Sequence, residues 1–275
     1  MILKAKMIMA GMIFLMSTCQ NKVSYDDMYG ACDTSYQTSD TYFSESSDLT
    51  FRLRFVYFAD SLNEPQPDYN KTIDRINAFY GVAGFVFKKH KVDTVVSSDI
   101  KEDMPSYVKY HFKNFRNDSV ITCYIYGNYQ PNYSEDRKFT VGSAGGIGSK
   151  FFAVRRMFLD SITTVHEIGH CFSLLHTSIP SSSHTPYTIY DSDLVCDTRA
   201  IDNLDNKVDE DCNFTGEEKL TKEEQYSTAC NYMSRSYMKC RHCITNGQIR
   251  RMRFYIHESP DARMTISSGL KKELF

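Results

Sequence analysis

His166-Glu167-Ile168-Gly169-His170, followed six positions on by His176, is the stretch of this chain whose residue types and spacing best suit chemistry. Residues four apart on a helix share a face, so His166 and His170 can present their imidazoles to one point. Glu167 stands beside them, able to reach a water on a shared ion without becoming a ligand. His176 supplies a third nitrogen if the helix ends soon after His170 and the chain turns back. Three histidines with a fourth position open are the donor set of a catalytic zinc site, not a closed structural one. The competing account is a chance match on an amphipathic helix with core histidines, and the third histidine weighs against it.

Such a site needs a helix through residues 161–171 and a scaffold to hold it. Phe51 to Phe58 alternates apolar and basic residues and then turns wholly apolar, as a strand entering a core does. Asp68 to Tyr80 carries Ile73, Ile76, Phe79 and Tyr80 at near-helical spacing, with Gly81 as a stop. Phe85-Val86-Phe87 and Val92 to Val96 read as a strand or a hairpin around Lys88-Lys89-His90-Lys91. Tyr107 to Phe115 reads as a second helix, and Ser119 to Tyr126 as a buried strand.

Between Phe139 and Gly148 glycines are dense, and dense glycines let another backbone come close. An edge strand that receives extended substrate and an ordinary flexible loop both fit that run. The order strand, helix, strand, helix, strand, strand, active helix predicts an α/β (α+β) fold with a mixed sheet. Beyond His176 the chain changes character. Residues 178–230 read as loop, and Gln248 to Ile256 as the one late helix.

With 41% hydrophobic and 24% charged residues the chain has the make-up of a globular domain, and its formal net charge of −2 gives no electrostatic case for nucleic acid. The N-terminus reads as an address. Lys4 and Lys6 precede the apolar run Met7 to Met16, which is shorter than the roughly 20 residues a spanning helix needs. Ser17-Thr18-Cys19 follows, so residues 1–18 resemble a bacterial lipoprotein signal with Cys19 as the lipidated residue; a plain signal peptide is the alternative. The expected location is the cell envelope, as an outer-membrane lipoprotein held to the membrane by lipid alone. Residues 19–48 read as a tether or irregular lead-in to a domain over 49–275.

Eight further cysteines remain, and in an exported chain they are disulfide candidates first. Cys240-Arg-His-Cys243 has the spacing of half a zinc ribbon, but no second Cys-x-x-Cys completes it. Connectivity does not follow from the spacing. Cys32 has two readings, a disulfide or a cap on the zinc before activation.

The zinc motif, Asn231-Tyr232-Met233-Ser234 downstream of it, and two further stretches together resemble the pappalysin-like (cytophagalysin) metzincin metalloproteases. Asp191-Ser-Asp193-Leu-Val-Cys-Asp197-Thr198 is similar to that family's Gly-Asp-x-Val-x-Asp-Thr-Pro segment. Cys240-x-x-Cys243-Ile-Thr-Asn-Gly-Gln248-Ile-Arg-Arg-Met252 is similar to its Cys-x-x-x-Phe-Thr-x-Gly-Gln-x-x-Arg-Met ending. The likeness runs with gaps from about 160 to 256.

The resemblance implies a twisted mixed sheet and active-site helix in an upper subdomain (about 49–172). It also implies an irregular, disulfide-bearing lower one (about 173–275) with a C-terminal helix. Met233 is then the Met-turn residue beneath the metal. Asp193 and Asp197 become candidate calcium ligands, against a plain solvated acidic loop that also takes in Asp202, Asp205, Asp209, Glu210 and Asp211.

This chain departs from the family at three positions. Ser173 stands where the family has Gly at positive φ, Arg199 replaces a Pro, and Arg235 stands where a Tyr steadies the oxyanion. The nearest tyrosines for that role are Tyr237, taken as the tentative oxyanion stabiliser, and Tyr232.

The implied activity is zinc-dependent endopeptidase cleavage of protein or peptide, with Glu167 as general base. Two rivals stand beside it. One is a weakly active or inactive metzincin-scaffold surface lipoprotein acting as a binding module; the other is a zinc hydrolase with a non-protein substrate.

Overall fold

Strand β1, Leu49–Ala59, is apolar enough to lie inside a sheet, and it does. In its second half, every residue from Phe55 to Ala59 is buried, as in strands covered on both faces. The computed structural model of the chain describes residues 48–59, 61, 63–96, 119–127, 141–177, 193–195, 197–198, 201, 204 and 206–259. The expected signal, Cys19, the tether, Cys32, Cys196, Arg199 and the helix at Tyr107 to Phe115 lie outside them.

Asp68 opens helix α1, Tyr69–Tyr80, by accepting from the backbone N–H groups of Asn70 and Lys71 at 3.1 Å each. The helix crosses to β2, Phe85–Val96, which pairs parallel with β1. The buried β3, Ile121–Tyr126, pairs parallel with β1 on its other side and with β5, Phe151–Arg155. Short β4, Gly142–Ala144, runs antiparallel to β5 at the sheet edge, giving the order β2-β1-β3-β5-β4. The fold is thus mixed α/β, and the glycine-dense run contributes an edge strand.

Of the two readings of residues 85–96, strand or hairpin, the structure has the strand: β2 is continuous. Leu53 pairs with Lys89 and Arg54 with Lys91, so His90 is the extra residue of a bulge. The polar run marks an exposed sheet edge, where charge discourages pairing with another chain.

An aromatic cluster joins sheet to helices. Phe51 packs on Phe85, Phe87 and Phe172, with ring centroids 5.3, 5.4 and 4.8 Å away. Burying each such ring contributes about 1.5–3 kcal/mol. Tyr80, fully buried, donates its hydroxyl proton to the carbonyl of Val165 at 2.7 Å and so ties α1 to the helix of the histidines. That helix, α2, covers Ile162–Cys171, with the Ser161 side chain capping it at the N–H of Thr163.

The loop reading of 178–230 needs correction over its last residues, which form helix α3, Lys222–Cys230. Its signal is a capping box: Thr221 Oγ1 accepts from Glu224 N, and the Glu224 carboxylate accepts from Thr221 N. The late helix, α4, spans Asn246–Glu258 behind a second box formed by Thr245 and Gln248. Disulfides Cys212–Cys240 and Cys230–Cys243 staple the region, so the two ends of the Cys-x-x-Cys pair go to different partners. Among the described residues no helix is long and apolar enough to cross a membrane.

Candidate metal centre

Three imidazoles converge where the sequence predicts. Nε2 of His176 lies 3.0 Å from Nε2 of His166 and 3.2 Å from Nε2 of His170. Ligands about 2.0–2.1 Å from a tetrahedral zinc are separated by roughly 3.3 Å, so these nitrogens fit one ion with little adjustment. Among the described residues, this is the one group of three or more His, Cys, Asp or Glu side chains close enough to share an ion.

The outer ring nitrogens settle two tautomers. Nδ1 of His166 faces the carbonyl of Tyr232 at 2.7 Å, and Nδ1 of His170 faces the carbonyl of Leu174 at 2.7 Å. A carbonyl only accepts, so both Nδ1 atoms carry the proton and both Nε2 lone pairs are left for a metal. His176 differs. Its Nδ1 lies 3.5 Å from the Arg235 guanidinium, which only donates. Burial lowers the pKa of all three rings; His176, further depressed by the charges of His170, Arg235 and Arg241, falls to about 3. All three are therefore neutral at pH 7, as ligands must be.

The chain reverses after α2 through Ser173, at φ 70°, in the left-handed conformation that favours glycine. The N–H of Leu174 bonds to Gly169 O at 3.0 Å and that of Ser173 to His170 O at 3.1 Å, the paired bonds of a Schellman cap. Arg251 Nε donates to Ser173 O at 3.0 Å. The sharp exit thus survives with serine in place of glycine.

The turn at residues 231–234 closes the site from below. Tyr232 O holds His166, while Met233 O accepts from Thr177 N at 3.2 Å, next to His176. Met233 is fully buried against α2. A Cβ on Gly169 would sit 2.6 Å from Met233 Sδ and 2.9 Å from the Tyr232 hydroxyl, so only glycine lets helix and turn approach this closely.

Asn231 and Gln248 exchange side-chain amide hydrogen bonds, each 3.0 Å, and Asn231 Oδ1 also accepts from Met233 N at 2.9 Å. Both residues stand in the motif stretches of the sequence, but their pairing across 17 positions has no local signal there.

Glu167 lies almost wholly buried beside the triad, under β4. Burial pushes its carboxyl up to about 8, against the N–H of Ala144 and the charge of Arg241, which both pull it down. A Cβ on Gly142 would stand 2.8 Å from Glu167 Oε1 and 2.7 Å from Thr163 Cγ2, so β4 must carry glycine there.

Arg241 escaped the sequence reading. It lies in a different part of the chain, and nothing in its local pattern marks it. Its Nε donates to Ser236 O at 2.8 Å.

No family model matches the chain, and no curated protein matches it. Among solved structures it is similar to one described as a chaperone-substrate complex, at 15% identity and a TM-score of 0.31. That match covers 50% of this chain and 26% of the other, and at that score it supports no argument.

Tyr237 is 50% exposed, and among the described residues its hydroxyl makes no hydrogen bond. Tyr232 is fully buried with its hydroxyl toward Met252 Sδ at 3.8 Å, away from any open face.

Asp193 is buried and accepts from Thr198 Oγ1 and Val195 N. Asp197 accepts from Thr245 Oγ1 and Gly247 N, both at 2.7 Å, at the start of α4. Both carboxylates serve hydrogen bonds within the fold.

Proposed function

We propose that this chain is a zinc-dependent endopeptidase of the metzincin type, pappalysin-like, carried at the cell envelope as a lipoprotein through Cys19. The observation that carries the reading is the meeting of His166, His170 and His176 at Nε2, with Glu167 one residue from the first ligand. The motif stretches around Met233 and Gln248 support the family, and the Lys-rich start with Cys19 supports the address.

A zinc ion bound there supplies Lewis acidity, which lowers the pKa of a water ligand to about 7. Glu167 takes the proton of the attacking water and hands it to the leaving amine. The edge strand β4 offers backbone groups to an extended substrate, laying the cut bond across Glu167. Arg235 offers positive charge for the oxygen that becomes negative on the substrate carbonyl.

The test is Glu167→Ala. That variant keeps one zinc per chain and loses cleavage of a mixed peptide library by at least a thousandfold, an order typical of losing a general base together with water positioning. Cleavage retained with zinc bound refutes the role of Glu167.

The binding-module reading has one specific observation in its favour, the donor-only guanidinium facing His176. One zinc per chain with no peptide cut would select it.

A further inference from the structure

Against the start of α2, the helix that carries His166 and His170, lies a pocket of about 670 Å³, bounded also by α1 and residues 238–242. Its walls are largely apolar: Ala78, Phe79, Phe158, Ile162, Val165 and Met238. Val165 is the residue before the first ligand, and Met238 Sδ lies 3.5 Å from Thr163 Oγ1 on the same helix.

The charges in this pocket do not balance. Arg75 is paired with Asp160 at 2.8 Å, and Lys71 shares that carboxylate, so Asp160 is already used twice. Arg241 and Lys239 also line the pocket, and among the described residues neither forms an ion pair. Arg241 is half-buried, with Nε spent on Ser236 O, which leaves the Nη groups for something else. Buried guanidinium groups are ordinarily paired, and a planar donor fork suits a carboxylate.

The same side chain links the pocket to the chemistry, because its charge is felt by Glu167, His166 and His176.

We infer that this pocket selects an acidic side chain, Asp or Glu, within two residues of the bond that is cut, with Arg241 as the specificity-determining residue. The carboxylate takes the Arg241 fork, Lys239 adds charge at the rim, and the apolar walls take the methylene groups. The inference rests on the peptidase reading, and its test keeps the two apart.

The zinc-loaded protein is incubated at pH 7.5 with a proteome-derived peptide library, and the residues flanking each cut are counted. Asp and Glu are expected to be enriched within two residues of the cut. Arg241→Gln should lower kcat/KM for an acidic peptide relative to its amide counterpart by about tenfold or more. Arg241→Glu, or Lys239→Glu at the more exposed position should the first fail to fold, should shift the preference towards Lys and Arg. A merely structural residue would not produce that reversal. Cuts without acidic enrichment, or enrichment untouched by Arg241→Gln, overturn the inference and leave the peptidase reading standing.

If no peptide is cut, the peptidase reading fails and binding decides the pocket. Dansylated Ala-Ala-Ala-Asp-Ala-Ala should bind the zinc-loaded protein about tenfold more tightly than its Asn counterpart, a difference lost in Arg241→Gln. Equal binding of the two peptides overturns it.

Discussion

The carbonyl of Tyr232 accepts a hydrogen bond from Nδ1 of His166 at 2.7 Å, joining residues 66 positions apart. Through it, a turn far along the chain sets the tautomer and pose of His166. The same turn reaches Thr177 through Met233 O, so it holds both sides of the triad. Met233 therefore matters for its backbone as well as for its buried apolar side chain.

If the Asn231–Gln248 amide pair braces this turn, Gln248→Ala should do two things together. It leaves the Asn231 amide buried without its partner, costing about 1–3 kcal/mol of stability. It also loosens Tyr232 O, weakening zinc binding by about 10–100-fold. Urea denaturation and competition with a chromophoric chelator measure the two; lost stability with unchanged zinc affinity would break the link.

Arg235 should oppose the metal. Its guanidinium places positive charge beside His176 and faces a ring nitrogen that must carry a proton when Nε2 is a ligand. Arg235→Ala should bind zinc about three- to tenfold more tightly in the same competition assay. Weaker binding would show that Arg235 supports the ligand instead.

Ser173 holds a conformation that costs an L-residue about 1 kcal/mol or more. Ser173→Gly should raise stability by about that amount, read as a higher urea midpoint at unchanged slope. An unchanged midpoint would mean that the Schellman bonds and Arg251 already offset the strain.

The buried histidines give the metal-free protein an acid sensitivity. His176 titrates near 6.5 when unfolded but near 3 when folded. Its contribution is thus whole above 6.5 and is lost as pH falls from 6.5 towards 3, because only the unfolded chain gains the proton. Glu167 and Asp193, raised by burial to about 8 and 7, slope the other way and obscure the raw curve. Comparison with His176→Gln cancels them. In chelator-treated protein, the variant should gain on the native chain by up to about 1.4 kcal/mol per pH unit below 6.5. A pH-independent difference between the two would contradict the burial of this ring.

The histidine triad was legible because its signal is local: two of its rings and Glu167 within five residues, and the third ring after one turn. Strands β1 and β3 were legible as apolar runs, and α1 through its stripe and Asp68. What stayed hidden depends on neighbours. Helix α3 buries only Thr228, Ala229 and Cys230, at one end, so it has no apolar stripe, and only its capping box announces it. The bulge at His90 made one edge strand resemble two. The disulfide partners, and the approach of Arg241 to Glu167, arise when separate stretches of chain meet, and no spacing encodes them.

X-ray absorption on the zinc-loaded protein tests the three-histidine site at the metal itself. The expected result is one zinc per chain with three imidazole nitrogens at about 2.0–2.1 Å and a light-atom fourth ligand. In His176→Ala two imidazoles are expected. Sulfur bound to the zinc, or a native spectrum that His176→Ala leaves unchanged, would contradict a site built from His166, His170 and His176.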